Sequence, residues 1–300
     1  MKSLKFISNY FNGGSSAFKG LFPLGATVEP AASGFRFTEG PVWIQEEKCL
    51  LFSDIPANKI MKLRADGGVE IFRHPSGNSN GLTRDREGRL IACEQGNRQV
   101  GRMEKDGTIS VLSDKYQGRK LNSPNDIVVK SDGGIYFTDP PYGVEQDQRE
   151  LTVQGVYFIP PESNELILVA EDFEMPNGLA FSPDEKKLYV DDSSPKRHHI
   201  RVFDVEAAGS LSNGRIFQTM KSRKSGDPDG MKVDSDGNIY CTGAGGVWVF
   251  DPEGRHLGTI ETPETPSNCA WGDEDWQSLY ITARTSVYKV RVKIPGSGCE

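Results

Sequence analysis

The sequence predicts an all-β protein: a six-bladed β-propeller with four antiparallel strands in each blade and a metal site on its axis. Three observations lead to this prediction. A turn-and-strand repeat recurs six times along the 300 residues. Glycine accounts for 33 of those residues, above the usual share of about 7%, as expected of a chain with many tight turns. No segment of the sequence has the length and periodicity of a long amphipathic helix.

Each repeat begins with a polar residue, usually followed by glycine, at the entry to a strand of alternating apolar and polar residues. A turn such as Asp132-Gly133-Gly134 follows, and then a second short strand rich in Tyr, Phe and Val. These are hairpin signals. The six copies are TEGPVWIQEEKCLLFSD from Thr38, SNGLTRDREGRLIACE from Ser79, PNDIVVKSDGGIYFTD from Pro124, PNGLAFSPDEKKLYVDD from Pro176, PDGMKVDSDGNIYCTG from Pro228 and PSNCAWGDEDWQSLYITA from Pro266.

A second alternating pair of segments follows most copies, for example KIMKLRADGGVEIF from Lys59 and GVWVFDPEGRHLGTI from Gly246. Each repeat therefore supplies four short strands, and four strands every 40–50 residues or so are typical of a propeller blade. After the sixth copy only one further strand follows, in residues 286–293. We expect residues 27–37 to supply the missing strand and close the ring. Two packed β-sandwich domains, the alternative, would not explain equal repeats that share one polar position.

We therefore expect residues 1–300 to form one propeller domain, with residues 1–26 as an N-terminal extension. The formal charge of −7 and the lack of a basic run argue against nucleic acid as a partner. Five cysteines without a CxxC spacing argue against a disulfide framework or a zinc cluster. No apolar run reaches membrane-spanning length and no signal peptide is evident, so the sequence predicts a cytoplasmic protein without a membrane partner. Its oligomeric state is left open.

The polar residue that opens each repeat is called the anchor here. In a propeller the first strand of every blade lines the central channel, so we expect the anchors to converge on the axis, although Asn and Asp also begin strands for local hydrogen-bonding reasons. Two carboxylates among amides on a buried axis are costly without a counter-ion. The all-oxygen donor set favours Ca²⁺, with Mg²⁺ and Mn²⁺ next and Zn²⁺ last. The anchors are Glu39, Asn80, Asn125, Asn177, Asp229 and Ser267.

A second set of polar residues stands where the second strand of each blade ends, on the same face as the anchors. Three interpretations are open for them: partners of the metal ligands, contacts to a substrate, or residues that form turns at the strand ends. These positions hold Asp54, Glu94, Asp139, Asp192, Gly243 and Ala283.

The segments TEGPVW, SPNDIVV, DPPYG, PNGLAFSPDEKKLYV and DPDGMKVDSDGNIY together resemble the gluconolactonase branch of the regucalcin, gluconolactonase and luciferin-regenerating-enzyme family, over residues 34–293. This resemblance implies a six-bladed propeller with one catalytic metal held by a Glu, two Asn and an Asp. Those ligands correspond to Glu39, Asn125, Asn177 and Asp229, and the family's catalytic acid/base corresponds to Asp229.

The implied reaction is metal-assisted hydrolysis of a sugar lactone such as glucono-1,5-lactone, with Asn80, Asn125 and Tyr142 as candidate contacts to its hydroxyls. The sequence departs from the regucalcin type at Ser123, where that type has a substrate-binding Arg. It also has Gln95 in CEQGN, where gluconolactonases often have His. The identity of the lactone therefore stays open.

Two other functions compete with this one. A phosphotriesterase of the diisopropyl-fluorophosphatase type would also use a metal-polarised electrophile, and a calcium-stabilised propeller could serve only as a binding platform. A serine hydrolase of the G-x-S-x-G type is disfavoured because that motif does not occur in the sequence.

Overall fold

Six four-stranded antiparallel sheets surround a common axis and confirm the predicted propeller. The computed structural model describes residues 14–161, 163 and 165–298. The innermost strands of successive sheets contact one another in a closed cycle, so that the first sheet meets the last. The described residues contain no helix that is long and apolar enough to cross a membrane.

Five blades are each built from four consecutive strands, ordered from the axis outward. Blade 1 contains β2 (Thr38–Ile44), β3 (Cys49–Asp54), β4 (Lys59–Arg64) and β5 (Val69–Arg73). Blade 2 contains β6 (Ser79–Arg84), β7 (Leu90–Glu94), β8 (Gln99–Met103) and β9 (Ile109–Ser113). A small hairpin follows, made of β10 (Lys115–Tyr116) and β11 (Arg119–Lys120).

The next three blades repeat this order. Blade 3 contains β12 (Ile127–Val129), β13 (Ile135–Asp139), β14 (Gly155–Ile159) and β15 (Ile167–Ala170). Blade 4 contains β16 (Pro176–Phe181), β17 (Lys187–Asp192), β18 (His199–Val205) and β19 (Leu211–Thr219). Blade 5 contains β20 (Met231–Val233), β21 (Ile239–Gly243), β22 (Gly246–Phe250) and β23 (His256–Ile260).

Blade 6 closes the ring with strands from both ends of the chain. Three of its strands are β24 (Asn268–Gly272), β25 (Ser278–Ala283) and β26 (Ser286–Arg291), and the outermost is β1 (Glu29–Ser33). β1 pairs antiparallel with β26, from Glu29 opposite Lys289 to Ser33 opposite Ser286. The expectation that residues 27–37 supply the missing strand is therefore confirmed. The pairing also covers the edge that β26 would otherwise expose.

The described part of the predicted N-terminal extension packs against the propeller. A short helix, α1 (Ser16–Gly20), begins with a cap in which the Ser15 side chain accepts a hydrogen bond from Phe18 N. Phe18 is fully buried in the core shared by blades 5 and 6. A Cβ at Gly258 would lie 2.6 Å from the Phe18 ring, so the close approach requires glycine there. Residues 1–13 of the extension lie outside the described residues.

The core lies between neighbouring blades, where aromatic side chains of adjacent sheets interlock. Trp43 stacks on Tyr280 across blades 1 and 6, with ring centroids 5.5 Å apart. Tyr240 meets Trp271 edge-on across blades 5 and 6 at 4.9 Å. Such pairs stabilise a core beyond their buried area. Four cysteines are buried and unbridged within these sheets: Cys49, Cys93, Cys241 and Cys269.

Candidate functional site

The anchors are brought together by the glycines that follow them in the repeat. Gly81 N donates to the carbonyl oxygen of Asn125 at 2.8 Å, and Gly178 N donates to that of Asp229 at 3.0 Å. A Cβ at Gly178 would lie 2.0 Å from the same Asp229 oxygen. In blades 2 and 4, glycine therefore lets the first strand approach closely enough to bond the next blade's anchor. The recurring anchor-glycine pair in the sequence has this physical cause.

The six anchors are largely shielded from solvent. Glu39, Asn80, Asn125, Asn177 and Ser267 are buried, each with at most 5% of its surface exposed. Asp229 is half-buried. The structure thus places all the proposed metal ligands, together with Asn80, at equivalent positions on adjacent blades around the axis.

Carboxylates crowd this ring. Burial raises the pKa of Glu39 from 4.5 to about 8, although the Gly40 N–H, 2.7 Å from Oε2, and the Asn268 amide at 3.2 Å oppose the shift. Burial, together with the nearby charges of Glu39, Asp191 and Asp126, raises the pKa of Asp229 well above its usual range. Burial is the main cause of both shifts, and the Lys232 charge, which lowers the pKa of Glu39, does not cancel its shift.

Two buried amide oxygens also lack partners. Asn80 Oδ1 and Asn177 Oδ1 accept no hydrogen bond, although both side chains are buried. Unpartnered buried polar atoms are rare, and a bound ion is one reason for them. Unpartnered amide oxygens and closely spaced carboxylates are the kinds of ligand that a hard divalent cation prefers. Among the described residues, His, Cys, Asp and Glu alone do not form a metal-binding group of three, so the amides are needed for such a site.

Sequence reasoning missed two residues beside the anchors. In four repeats the residue after the anchor is glycine, but Asp126 and Asn268 occupy that position in blades 3 and 6. The Asn268 amide nitrogen lies 3.2 Å from Glu39 Oε2 and 3.4 Å from Asp126 Oδ2, and so joins the two carboxylates. The departure from glycine at these two positions was a signal that could have identified them.

Asp191 was missed as well, and it lies on the second strand of blade 4. Its side chain is fully buried, with Oδ1 unpartnered. Burial and the charge of Asp126 raise its pKa well above the usual range. At the corresponding place in blade 3, the Thr138 hydroxyl donates to the carbonyl oxygen of the next anchor, Asn177, at 2.8 Å. Asp191 thus occupies a position that a neutral hydroxyl fills elsewhere.

Tyr142 reaches the site from the loop after β13. Its hydroxyl lies 2.6 Å from Ser193 Oγ and 3.5 Å from the Asn177 amide nitrogen. The side chain is 43% exposed, so part of the ring faces solvent at the mouth of the site.

The second set of polar residues has a different role from the anchors. Asp192 accepts hydrogen bonds from the backbone N–H groups of Glu174, Met175 and Ser194 at 2.9–3.1 Å. Asp54 likewise accepts from Arg36 N and Phe37 N. These carboxylates secure the loop that leads into the first strand of their own blade, as does Asp139 through Asn122 N and Ser123 N.

Glu94 is the exception in this set, because side chains take the place of the backbone donors. It forms an ion pair with Arg73 at 2.8 Å and accepts from the Asn97 and Gln99 amides. Of the three interpretations left open by the sequence, the hydrogen bonds of this set favour turn formation at the strand ends.

The family described as SMP-30/Gluconolactonase/LRE-like region matches residues 37–285. A gluconolactonase of Zymomonas mobilis is 36% identical over 294 residues, covering 90% of this chain and 82% of the relative. A pentonolactonase of Haloferax volcanii is 27% identical over 253 residues, covering 82% and 81%. The solved structure of a gluconolactonase from Xanthomonas campestris has a TM-score of 0.86 and 35% identity, over 93% of each chain.

Proposed function

Because this chain belongs to the SMP-30/gluconolactonase/LRE-like family, we propose that it is a metal-dependent hydrolase that opens a sugar (aldono-) lactone such as glucono-1,5-lactone. Relatives named gluconolactonase and pentonolactonase support this substrate class. The observation that carries the proposal is the axial ring, in which mutually repelling carboxylates stand beside unpartnered amide oxygens.

The proposed metal ligands are Glu39, Asn125, Asn177 and Asp229, and the proposed ion is calcium. Two carboxylates balance its charge, and neutral amide oxygens suit calcium better than zinc. A divalent cation bound there would act as a Lewis acid towards the lactone carbonyl.

Asp229 is the proposed general acid/base because, of the two carboxylates among the proposed metal ligands, it is the more accessible. Glu39 is 3% exposed and its Oε2 already accepts from Gly40 N, whereas Asp229 is half-buried. Asp229 is proposed to take a proton from the attacking water and to return it to the ring oxygen as the ester bond breaks. Asn80, Asn125 and Tyr142 are the proposed contacts to the sugar hydroxyls.

The test is lactone hydrolysis, followed by proton release with glucono-1,5-lactone after subtraction of the spontaneous rate. Protein stripped with a chelator is compared before and after addition of Ca²⁺, Mn²⁺, Mg²⁺ or Zn²⁺. We expect turnover to return with a divalent ion, and to stay absent in Asp229→Asn protein but not in Asp106→Asn protein, which alters an exposed turn.

Other outcomes would redirect the proposal. Metal binding without lactone turnover would favour the phosphotriesterase alternative if diisopropyl fluorophosphate is hydrolysed, and the calcium-stabilised binding propeller if it is not. Full turnover after complete removal of the metal would refute the metal-dependent mechanism.

A further inference from the structure

The hydroxyl of Ser193, immediately after β17, is a hydrogen-bonding centre beside the axis. Ser193 Oγ lies 2.6 Å from Tyr142 Oη, 3.2 Å from Asn177 Nδ2 and 3.3 Å from the carbonyl oxygen of Met175. The side chain is 7% exposed, so solvent offers few competing partners. One buried hydroxyl therefore contacts a proposed metal ligand and the aromatic residue at the mouth of the site.

The direction of these hydrogen bonds follows from which atoms can donate and which can only accept. An amide nitrogen only donates and a backbone carbonyl only accepts, so Ser193 Oγ accepts from Asn177 and donates to Met175. Between the two hydroxyls the phenol is the more acidic, and it is the better donor. Tyr142 therefore donates its proton to Ser193 Oγ, and its oxygen, 3.5 Å from the Asn177 amide nitrogen, keeps a lone pair that can accept a further hydrogen bond.

The structure places the Asn177 amide nitrogen against the two hydroxyls, 3.2 Å from Ser193 Oγ and 3.5 Å from Tyr142 Oη. With Nδ2 held by Ser193, Asn177 Oδ1 points away from Ser193 and has no partner. An amide turned the other way would place its oxygen against Ser193 Oγ and its N–H groups towards a cation, which would repel it.

We infer that Ser193 is a positioning residue: its hydroxyl holds the Asn177 oxygen towards the axial cation and makes Tyr142 an acceptor for a hydroxyl group of the lactone. The second part rests on the proposed function and specifies its substrate class. A site that offers an acceptor favours a lactone carrying a hydroxyl over the same ring without one, because the bare ring leaves the acceptor unpaired.

The first experiment measures metal affinity rather than activity. Calcium is titrated calorimetrically into chelator-stripped Ser193→Ala, Ser193→Thr and Ser194→Ala proteins. We expect Ser193→Ala to weaken binding roughly 10–100-fold, the usual effect of removing a residue that orients a ligand, and Ser193→Thr, which keeps a hydroxyl, to recover most of it. Ser194→Ala is the matched control, because that hydroxyl bonds the Glu174 carboxylate and Lys196 N instead. Thermal melts without metal show whether each variant is folded.

Calcium affinity of Ser193→Ala equal to that of the wild type would overturn the positioning role. If Ser193→Ala does not fold, Ser193→Thr and Ser193→Cys decide the question, since only threonine keeps an oxygen acceptor. Equal affinities for these two would also overturn the role. These results do not depend on lactonase activity, so a wild-type protein that binds calcium but opens no lactone would refute the proposed function alone.

The second experiment compares kcat/KM for glucono-1,5-lactone with that for δ-valerolactone, the same six-membered ring without hydroxyls. We expect Tyr142→Phe to lower kcat/KM for the hydroxylated lactone about 5-fold more than for δ-valerolactone, the value of one hydrogen bond. Equal losses of kcat/KM on both lactones would refute the proposal that Tyr142 selects for the hydroxylated lactone.

Discussion

The axis and the strand ends of the propeller use the same acidic residues in opposite ways. At the strand end of blade 4, the fully buried Asp192 accepts hydrogen bonds from three backbone N–H groups. Next to it in the chain and equally buried, Asp191 faces the axis with Oδ1 unpartnered. The comparison teaches that burial alone does not identify a functional carboxylate. A buried acid with enough donors secures a loop, and one without them favours a cation or a proton.

The contrast between the axis and the strand ends would be contradicted most strongly if the half-buried Asp229 were not required for lactone hydrolysis. Asp229→Asn keeps the shape of the side chain but removes its basicity. We expect kcat/KM for glucono-1,5-lactone to fall roughly 10²–10⁴-fold, the usual contribution of a general acid/base, while the circular dichroism spectrum stays that of the wild type. Retention of more than a tenth of the activity would exclude Asp229 as the acid/base.

For the free energy of unfolding we expect the opposite ranking, with a larger loss from a substitution at the strand end than from one at the axis. Asp192→Ala leaves three backbone N–H groups without their acceptor, and we expect it to lower the free energy of unfolding by about 3 kcal/mol. Asp229→Ala removes one of several repelling carboxylates, so the metal-free protein should be equally stable or more so. Urea unfolding in the presence of a chelator measures both.

A large stability loss in metal-free Asp229→Ala protein, comparable with that in Asp192→Ala protein, would show that the axial carboxylates also stabilise the fold without a cation. The contrast between the two regions would then be wrong.

The pH dependence should give the smallest effect. The pKa of Glu39 is raised from 4.5 to about 8 in the folded protein, so the folded state holds a proton that the unfolded chain loses first. Its contribution to stability is present below about pH 4.5 and is lost as the pH rises to 8. We expect the melting temperature of metal-free protein to fall by several degrees over this range, and to fall less in Glu39→Gln protein.

Added calcium should offset that fall at pH 8, because an ion that binds only the folded state stabilises it. A melting temperature that rises from pH 5 to pH 8 without metal would contradict the raised pKa of Glu39.

The blades could be predicted from the sequence because their signals are local. The turn at Asp132-Gly133-Gly134 shows this: Gly133 has a φ of 94°, and the Asp132 carboxylate accepts from Gly134 N at 2.9 Å. Once such turns repeat with one shared polar position, the blade count and the ring of anchors follow. The count also predicted the closing strand from the N-terminus, because six blades of four strands were one strand short.

The hydrogen-bond partners of the site could not be predicted in this way, because they come from distant parts of the chain. Asn268 and Glu39 meet across 229 residues of sequence, and Tyr142 and Ser193 across 51. Nothing in the repeat distinguishes Asp191 from Asp192, whose side chains point to opposite sides of β17. The sequence by itself therefore determined the architecture and which residue types stand at the axis. Only the tertiary structure decided which of those acids and amides lack partners, because hydrogen-bond satisfaction depends on groups that folding brings within about 3 Å.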